Sequence, residues 1–281
     1  MSLSYSEFPV YIGGAGISSP PPEVDRYVPA TQANVNYNTN HSPKRKLGST
    51  IASSDQFGFG GPLTADITVD CVFQSGMVSG LDFLLDANQD NYVTIQLGSG
   101  VYNKCYATDV SITIDPFAPV TLQAKFLSLD PAIDCKISGD SNPYAGGEIP
   151  LDSDRIAYGH TCTVNDSANI LNNTNQQISF SRAYARTPVY ELGSVNASTM
   201  LLDGVEEQLT VTSTGLNNLI DYSGESLNNT LSVAVAGIGN TTPFIADLIK
   251  FTAGSRVLTQ SYTNQGGDTL STTATINQIK L

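Results

Sequence analysis

The sequence predicts an all-β fold with short helices, arranged as two tandem β-barrel or sandwich domains, and three observations predict it. Charged residues make up only 14% of the chain, too few for long amphipathic helices. Apolar and polar side chains alternate in segment after segment, which is the period of a half-buried strand. A stretch of the first half also returns in the second, 145 positions further on.

The repeat is clearest between residues 31–49 (TQANVNYNTNHSPKRKLGS) and 176–194 (QQISFSRAYARTPVYELGS). Gln32 meets Gln177, Val35 meets Phe180, Pro43 meets Pro188, and Leu47-Gly48-Ser49 meets Leu192-Gly193-Ser194. The long polar strands this implies run from Val35 to Gly48 and from Phe180 to Gly193. Each half also gains an opening strand, Phe8 to Ile12 in the first and Ile156 to Val164 in the second.

The remaining elements follow in the same order. Ala65, Ile67, Val69, Cys71 and Phe73 alternate with Asp66, Thr68 and Asp70, a strand with one wet face. Leu81, Leu84 and Leu85 then fall at helical spacing behind Ser79 as N-cap, so a short helix is expected over 79–87. A strand follows at Tyr92–Leu97. A hairpin closes the half, with Val110, Ile112 and Ile114 before the Asp115-Pro116 turn and Val120, Leu122, Ala124 and Phe126 after it. In the second half the counterparts are a strand at Leu209–Thr214, a helix near Asn217–Tyr222 and a strand at Leu231–Val235. A hairpin of Val257–Tyr262 and Thr269–Gln278 turns at Asn264–Asp268. The expected domains are therefore 1–135 and 156–281, joined by a linker over 136–155 rich in Gly, Pro, Ser and Asp. The proline-rich GGAGISSPPPE near the N-terminus reads as an extended arm.

With 281 residues the chain is long enough for two real cores. Both halves are acidic: residues 1–150 carry 7 basic and 15 acidic side chains, residues 151–281 carry 6 and 11, and together these give the net −13. Neither half offers the basic face that gripping nucleic acid requires. No charged head and apolar core resembling a Sec signal opens the chain, and no apolar run approaches membrane length, so a soluble protein without a membrane partner is expected.

Motifs that carry chemistry are weak. Asp86-Ala87-Asn88-Gln89-Asp90 begins like a calcium loop, but Asn91 stands where glycine is needed and Leu97 where a bidentate glutamate is needed. A turn at a helix end accounts for it better. His160 and Cys162 lack a third metal donor nearby, and His41 lies elsewhere in the repeat. The cysteines Cys71, Cys105, Cys135 and Cys162 form no C-x-x-C pair; they leave room for one disulfide, and Cys71 reads as a small buried hydrophobe. Gly13-Gly14-Ala15-Gly16 lacks the frame of a phosphate cradle. Pro43-Lys44-Arg45-Lys46 is a lone basic cluster, best read as a solvated loop or an inter-subunit patch. The sequons at Asn40, Asn165, Asn196 and Asn240 follow from a composition rich in Asn and Thr. No catalytic, cofactor-binding or metal-binding residue is assigned, and no enzyme is expected.

In layout, the repeat unit resembles the tube domain of long-tailed bacteriophages and related contractile injection systems. The features that carry the likeness are the opening strand, the long polar strands Val35–Gly48 and Phe180–Gly193 with their LGS turns, the central helix, and the closing hairpin Asp109–Phe126. The resemblance spans nearly the whole chain, though the duplication and the linker depart from it. It implies a ring-forming tail tube protein of the virion, assembled in the host cytoplasm, with rings stacked around a channel for DNA. Tandem domains imply a trimer of pseudo-six-fold appearance, or else a hexamer, in contact with other tail or baseplate proteins and possible sheath subunits. A baseplate hub or tube-initiator ring is the alternative within the family. A capsid decoration or fibre-type binding protein is the alternative of another class, and it calls for exposed aromatics on loops.

Overall fold

A computed structural model of the chain describes residues 10–13, 27–28, 30–43, 57–73, 92–97, 100–131, 156–166, 175–192, 194, 196–214, 230–237, 245–252, 254–264 and 270–280. Strands take up 88% of these residues and helices none, so the fold is all-β as the alternation predicts. Both expected helices, the linker, the LGS turn of the first half and most of the N-terminal arm lie outside the described residues.

The strands are β1 (Val10–Gly13), β2 (Tyr27–Val28), β3 (Ala30–Pro43), β4 (Phe57–Val72), β5 (Val93–Leu97), β6 (Gly100–Ile114) and β7 (Thr121–Pro131). They continue with β8 (Ala157–Asp166), β9 (Asn175–Tyr190), β10 (Ala197–Thr214), β11 (Leu231–Gly237), β12 (Ile245–Phe251), β13 (Arg256–Asn264) and β14 (Leu270–Lys280). Every pairing between them is antiparallel.

One four-stranded unit occurs twice. In the first half the order is β3-β4-β7-β6, and in the second it is β9-β10-β14-β13. The registers coincide as well as the order. Val35 opposes Ile67, which opposes Phe126; Phe180 opposes Leu209, which opposes Ile276. Shifts of 145 (Val35 to Phe180), 142 (Ile67 to Leu209) and 150 (Phe126 to Ile276) superpose the ladders. Two of the bulges coincide too. Thr31 is skipped between Ala30 and Gln32, as Gln176 is between Asn175 and Gln177. Thr108 is skipped between Ala107 and Asp109, as Leu258 is between Val257 and Thr259. Bulges bend and twist a strand at fixed points, so these two act at equivalent places in both units, whereas the shift that skips Asn40 and residues 60–62 in the first unit skips Asp203 alone in the second.

The units are joined edge to edge. β6 pairs with β9 over six residues, from Asp109 opposite Ala183 to Ile114 opposite Ile178. The eight strands β3-β4-β7-β6-β9-β10-β14-β13 thus form one continuous stretch of sheet, and no sheet closes into a barrel. The edge of β6 that receives β9 is shared: its earlier residues pair with β5, Ile95 opposing Tyr102. Lys104, the one described non-glycine residue with positive φ (49°), lies within the β5 contact, where the register shifts between Tyr102 and Cys105.

A smaller set of strands covers each unit, again in matching register. Ile12 opposes Ile95 in β1–β5, and Val164 opposes Val233 in β8–β11. Val93 opposes Cys105 in β5–β6, and Leu231 opposes Phe251 in β11–β12. The strand that is continuous as β6 is split in the second unit into β12 and β13. The split is a turn in which the Ser255 hydroxyl donates to the Thr252 carbonyl (2.7 Å) and Gly254 takes φ 98°.

One cluster of buried side chains runs through both units. It includes Ile67, Val69, Ile112 and Phe126 from the first and Phe180, Leu209, Phe251 and Ile276 from the second. Phe180 of β9 meets Phe251 of β12 edge to face, with centroids 6.2 Å apart, fixing the layer of small strands against the long sheet. β8 stitches the halves a second time. The Ala157 amide donates to the Phe73 carbonyl and the Val120 amide to the Ala157 carbonyl, both at 2.9 Å. Gly159 then passes so close to the Asp115-Pro116 turn that a Cβ would lie 1.9 Å from the Asp115 carbonyl oxygen.

Several strands differ in extent from expectation. β10 starts at Ala197 rather than Leu209, and β9 stops at Tyr190, just ahead of its LGS turn, with the Ser194 amide donating to the Glu191 carbonyl. β12 is a strand the alternation did not reveal.

Substituting Gly159→Ala forces backbone against backbone, an overpacking cost of about 1–3 kcal/mol. Gly254→Ala meets no atom within 4 Å and carries only its positive φ, about 1 kcal/mol. Thermal unfolding is expected to show a larger drop in Tm for Gly159→Ala; equal drops would contradict the close approach.

Candidate functional site: a polar sheet face between two open edges

Alternation gives the eight-stranded stretch two unlike faces. One carries the core. The other presents Asn34, Asn36 and Asn38 on β3, Thr68 on β4, Ser111 and Thr113 on β6, Ser179 and Ser181 on β9, and Thr210 and Thr212 on β10, all exposed or half-buried. Among the described residues it carries the carboxylates Asp66, Asp70, Asp109, Asp203 and Glu206, while Lys125 and, by its register opposite Asn277, Arg256 are its cations, so carboxylates predominate and the face is acidic. The side chains bond to one another across strands. Asn38 donates to Asp66 (2.6 Å), Gln123 to Asp70 (2.7 Å) and Asn277 to Glu206 (2.9 Å). Thr210 meets Thr275 and Thr212 meets Thr273, both at 3.4 Å. Such cross-strand pairs hold the polar rows in place.

On the core face, an ion pair lies beside the joint between the units. Arg182 on β9 opposes Glu207 on β10, with Nε donating to Oε1 at 2.7 Å; the two side chains are 7% and 1% exposed. The guanidinium also reaches the Tyr184 hydroxyl (3.5 Å) and lies 5.6 Å from the centroid of the Phe180 ring. Burial raises the Tyr184 pKa, which the positive charge of Arg182 partly offsets. At the equivalent places in the first unit, the same shifts put Tyr37 and Ala65, so this ion pair belongs to the second unit alone. Arg186 clamps the joint itself. Its Nε donates to the Ala107 carbonyl of β6 (2.8 Å), and its guanidinium lies 5.4 Å from the Tyr106 centroid and 5.3 Å from that of Tyr184.

The two outer strands of the stretch, β3 and β13, each pair on one side only among the described residues. β3 is long and, from Ala30 to Pro43, carries no Lys, Arg, Asp or Glu. Large apolar side chains are exposed at two hairpin tips. Phe117 is 92% exposed in the β6–β7 turn, and Leu192 is fully exposed in the β9–β10 turn. Ile114 pairs near the start of β9 whereas Leu192 follows its end, so these tips stand at opposite ends of the strands.

The motifs weighed in the sequence are scattered. His160 is exposed on β8 with its ring against Tyr158, and the half-buried Cys162 thiol approaches the Tyr158 carbonyl (3.5 Å). His41 lies on β3, in the other unit. Among the described residues no three His, Cys, Asp or Glu side chains gather to hold a metal. Asp86–Asn91, Gly14–Gly16, Lys44–Lys46, Cys135 and Asn240 fall outside the described residues. Cys71 and Cys162 are free thiols, and Cys71 and Cys105 are buried. The buried Arg182–Glu207 pair had no signal in the sequence beyond two charges at strand-facing positions. No protein-family model matches the chain, and no curated protein matches it.

Removing one partner of a buried pair leaves a charge uncompensated, at a cost of about 3–5 kcal/mol. Arg182→Ala and Glu207→Ala should each lower stability by that order in urea titration, while Arg182→Tyr with Glu207→Ala, the first unit's own residues, should lose markedly less. Burial, and secondarily the charge of Asp70, pushes the Cys71 thiol up to about 12, and burial pushes Cys162 to about 11. Both thiols are therefore protonated at pH 8. Cys71 should remain unalkylated at that pH until the protein unfolds, as read by peptide mass spectrometry; native-state labelling would contradict its burial.

Proposed function

We propose that this chain is a non-enzymatic structural protein of a bacteriophage tail, a tail tube protein whose rings stack around the channel for DNA. The observation that carries the reading is the duplicated four-stranded unit whose sheet, among the described residues, has an unpaired edge at both ends. A long, uncharged edge strand is a template for another chain, and soluble monomers usually blunt such edges with charge, bulges or cover. Closing a curved sheet on itself through neighbouring copies removes the edges altogether. The barrel is thus a property of the ring, with two units from each chain: three chains give a trimer of pseudo-six-fold appearance.

The acidic, hydroxyl-rich face supports the lumen role. DNA passing a face on which carboxylates outnumber cations is repelled by the like charge of its phosphates, so it slides without adhering. The apolar tips Phe117 and Leu192 support stacking, because they stand at opposite ends of the strands, where rings above and below would meet. The reading assigns the chain no catalysis, cofactor, metal or membrane. The protein would be made in the host cytoplasm and end in the virion, touching other tail or baseplate proteins and, in a contractile tail, the sheath.

Negative-stain electron microscopy of the purified chain at high concentration should show annular particles or tubes. Monomers alone, together with an absence of annuli in virions, would sink the reading. Copy number per virion separates a tube, with many rings, from a baseplate hub, with one.

A further inference from the structure

We infer that the chain joins a second copy of itself head to tail, through β13 of one copy and β3 of the next, in the register that β6 and β9 already use within the chain. This rests on the ring-forming reading and adds the strands, the polarity and the residues of the joint. The argument is one of equivalence. β9 corresponds to β3 and β6 to β13, on the registers and bulges given above. The outward edge of β9 is filled by β6; the same edge of β3 is empty among the described residues. The outward edge of β6 is filled by β9; the same edge of β13 is likewise empty.

The sheet geometry needed for the joint is therefore already built, on both sides. Moving Ser111 forward by 150 gives Ser261, and moving its partner Ser181 back by 145 gives Asn36. The full six-residue ladder becomes Thr259 opposite Asn38, continuing through Ser261 opposite Asn36 to Asn264 opposite Ala33. Exposure agrees. Arg182, covered by β6 at the inner joint, is 7% exposed, whereas its equivalent Tyr37, on the open edge, is 47% exposed despite sitting on the core face. A β13–β3 neighbour would cover Tyr37 as β6 covers Arg182. The contact is heterologous, so repeating it produces either a closed ring or a fibre, never an isolated two-fold dimer.

Directly opposed residues on antiparallel strands have Cα atoms about 4.5–5.5 Å apart, within reach of a disulfide. The test uses the full chain carrying Asn36→Cys with Ser261→Cys, oxidised with copper phenanthroline and run on a denaturing, non-reducing gel. A ladder of covalent multimers holding most of the chain is expected. Asn38→Cys with Thr263→Cys, four residues out of register, should give none beyond the native background. Mixing the two single variants, Asn36→Cys and Ser261→Cys, should give dimer only, and neither should cross-link alone. Cross-linking of Asn36→Cys with itself would overturn the head-to-tail polarity. Rings seen by microscopy without the in-register ladder would overturn this joint and leave the ring reading standing. The ladder with open fibres and no annuli would uphold the joint and remove the ring. A chain that stays monomeric in both measurements would remove both.

Discussion

An unpaired strand edge is the constraint on which this structure turns. Every backbone amide and carbonyl along a sheet margin must find a partner or water. In the middle of this chain the six-residue ladder between β6 and β9 supplies partners for two such margins at once. That ladder merges two similar units into one sheet and lets one buried cluster run beneath both. The face opposite the core follows from it, because a polar surface eight strands wide exists only when the units share a register.

Much of this was legible in the sequence, and for a definite reason. Strand alternation and the 145-residue shift both survive divergence, since each pair across a ladder needs only compatible size and polarity. Val35 with Ile67 and Phe180 with Leu209 differ in identity and agree in role. The two hairpins were legible because Asp115-Pro116 and the Asn264–Asp268 turn interrupt clean alternation. What the sequence hid was of two kinds. β12 reads Ile-Ala-Asp-Leu-Ile-Lys-Phe, with apolar neighbours in pairs rather than alternation, because it is a short strand in the covering layer. β10 looked short because Asp203-Gly204-Val205-Glu206-Glu207 resembles a loop. Glu207 is tolerated on the core side only because Arg182 neutralises it from the adjacent strand, a pairing that no local pattern encodes. The edge-to-edge joining of the halves was not legible either, since nothing local marks which strand edges will meet.

The two units have diverged where they carry unequal tasks. The first keeps Tyr37 and Ala65 where the second has Arg182 and Glu207. A buried ion pair gives little net stability over apolar residues of similar volume. Its presence at only one position therefore points to a requirement for specificity beside the joint. The strand that passes unbroken through Lys104 in the first unit breaks at Gly254 in the second, while the bulges at Thr108 and Leu258 keep equivalent places.

In the ring proposed above, the Arg186 clamp on Ala107 and Tyr106 would bear on how the assembly can change over generations. When a chain holds a single unit, every boundary around a closed assembly is written by the same codons, and any alteration strikes all of them together. Fusing two units makes alternate boundaries independent. The boundary inside the polypeptide is tethered and clamped, so it tolerates substitutions that would dissolve an untethered one. The other can be tuned for the speed and reversibility of docking, leaving the first as a permanent hinge pin.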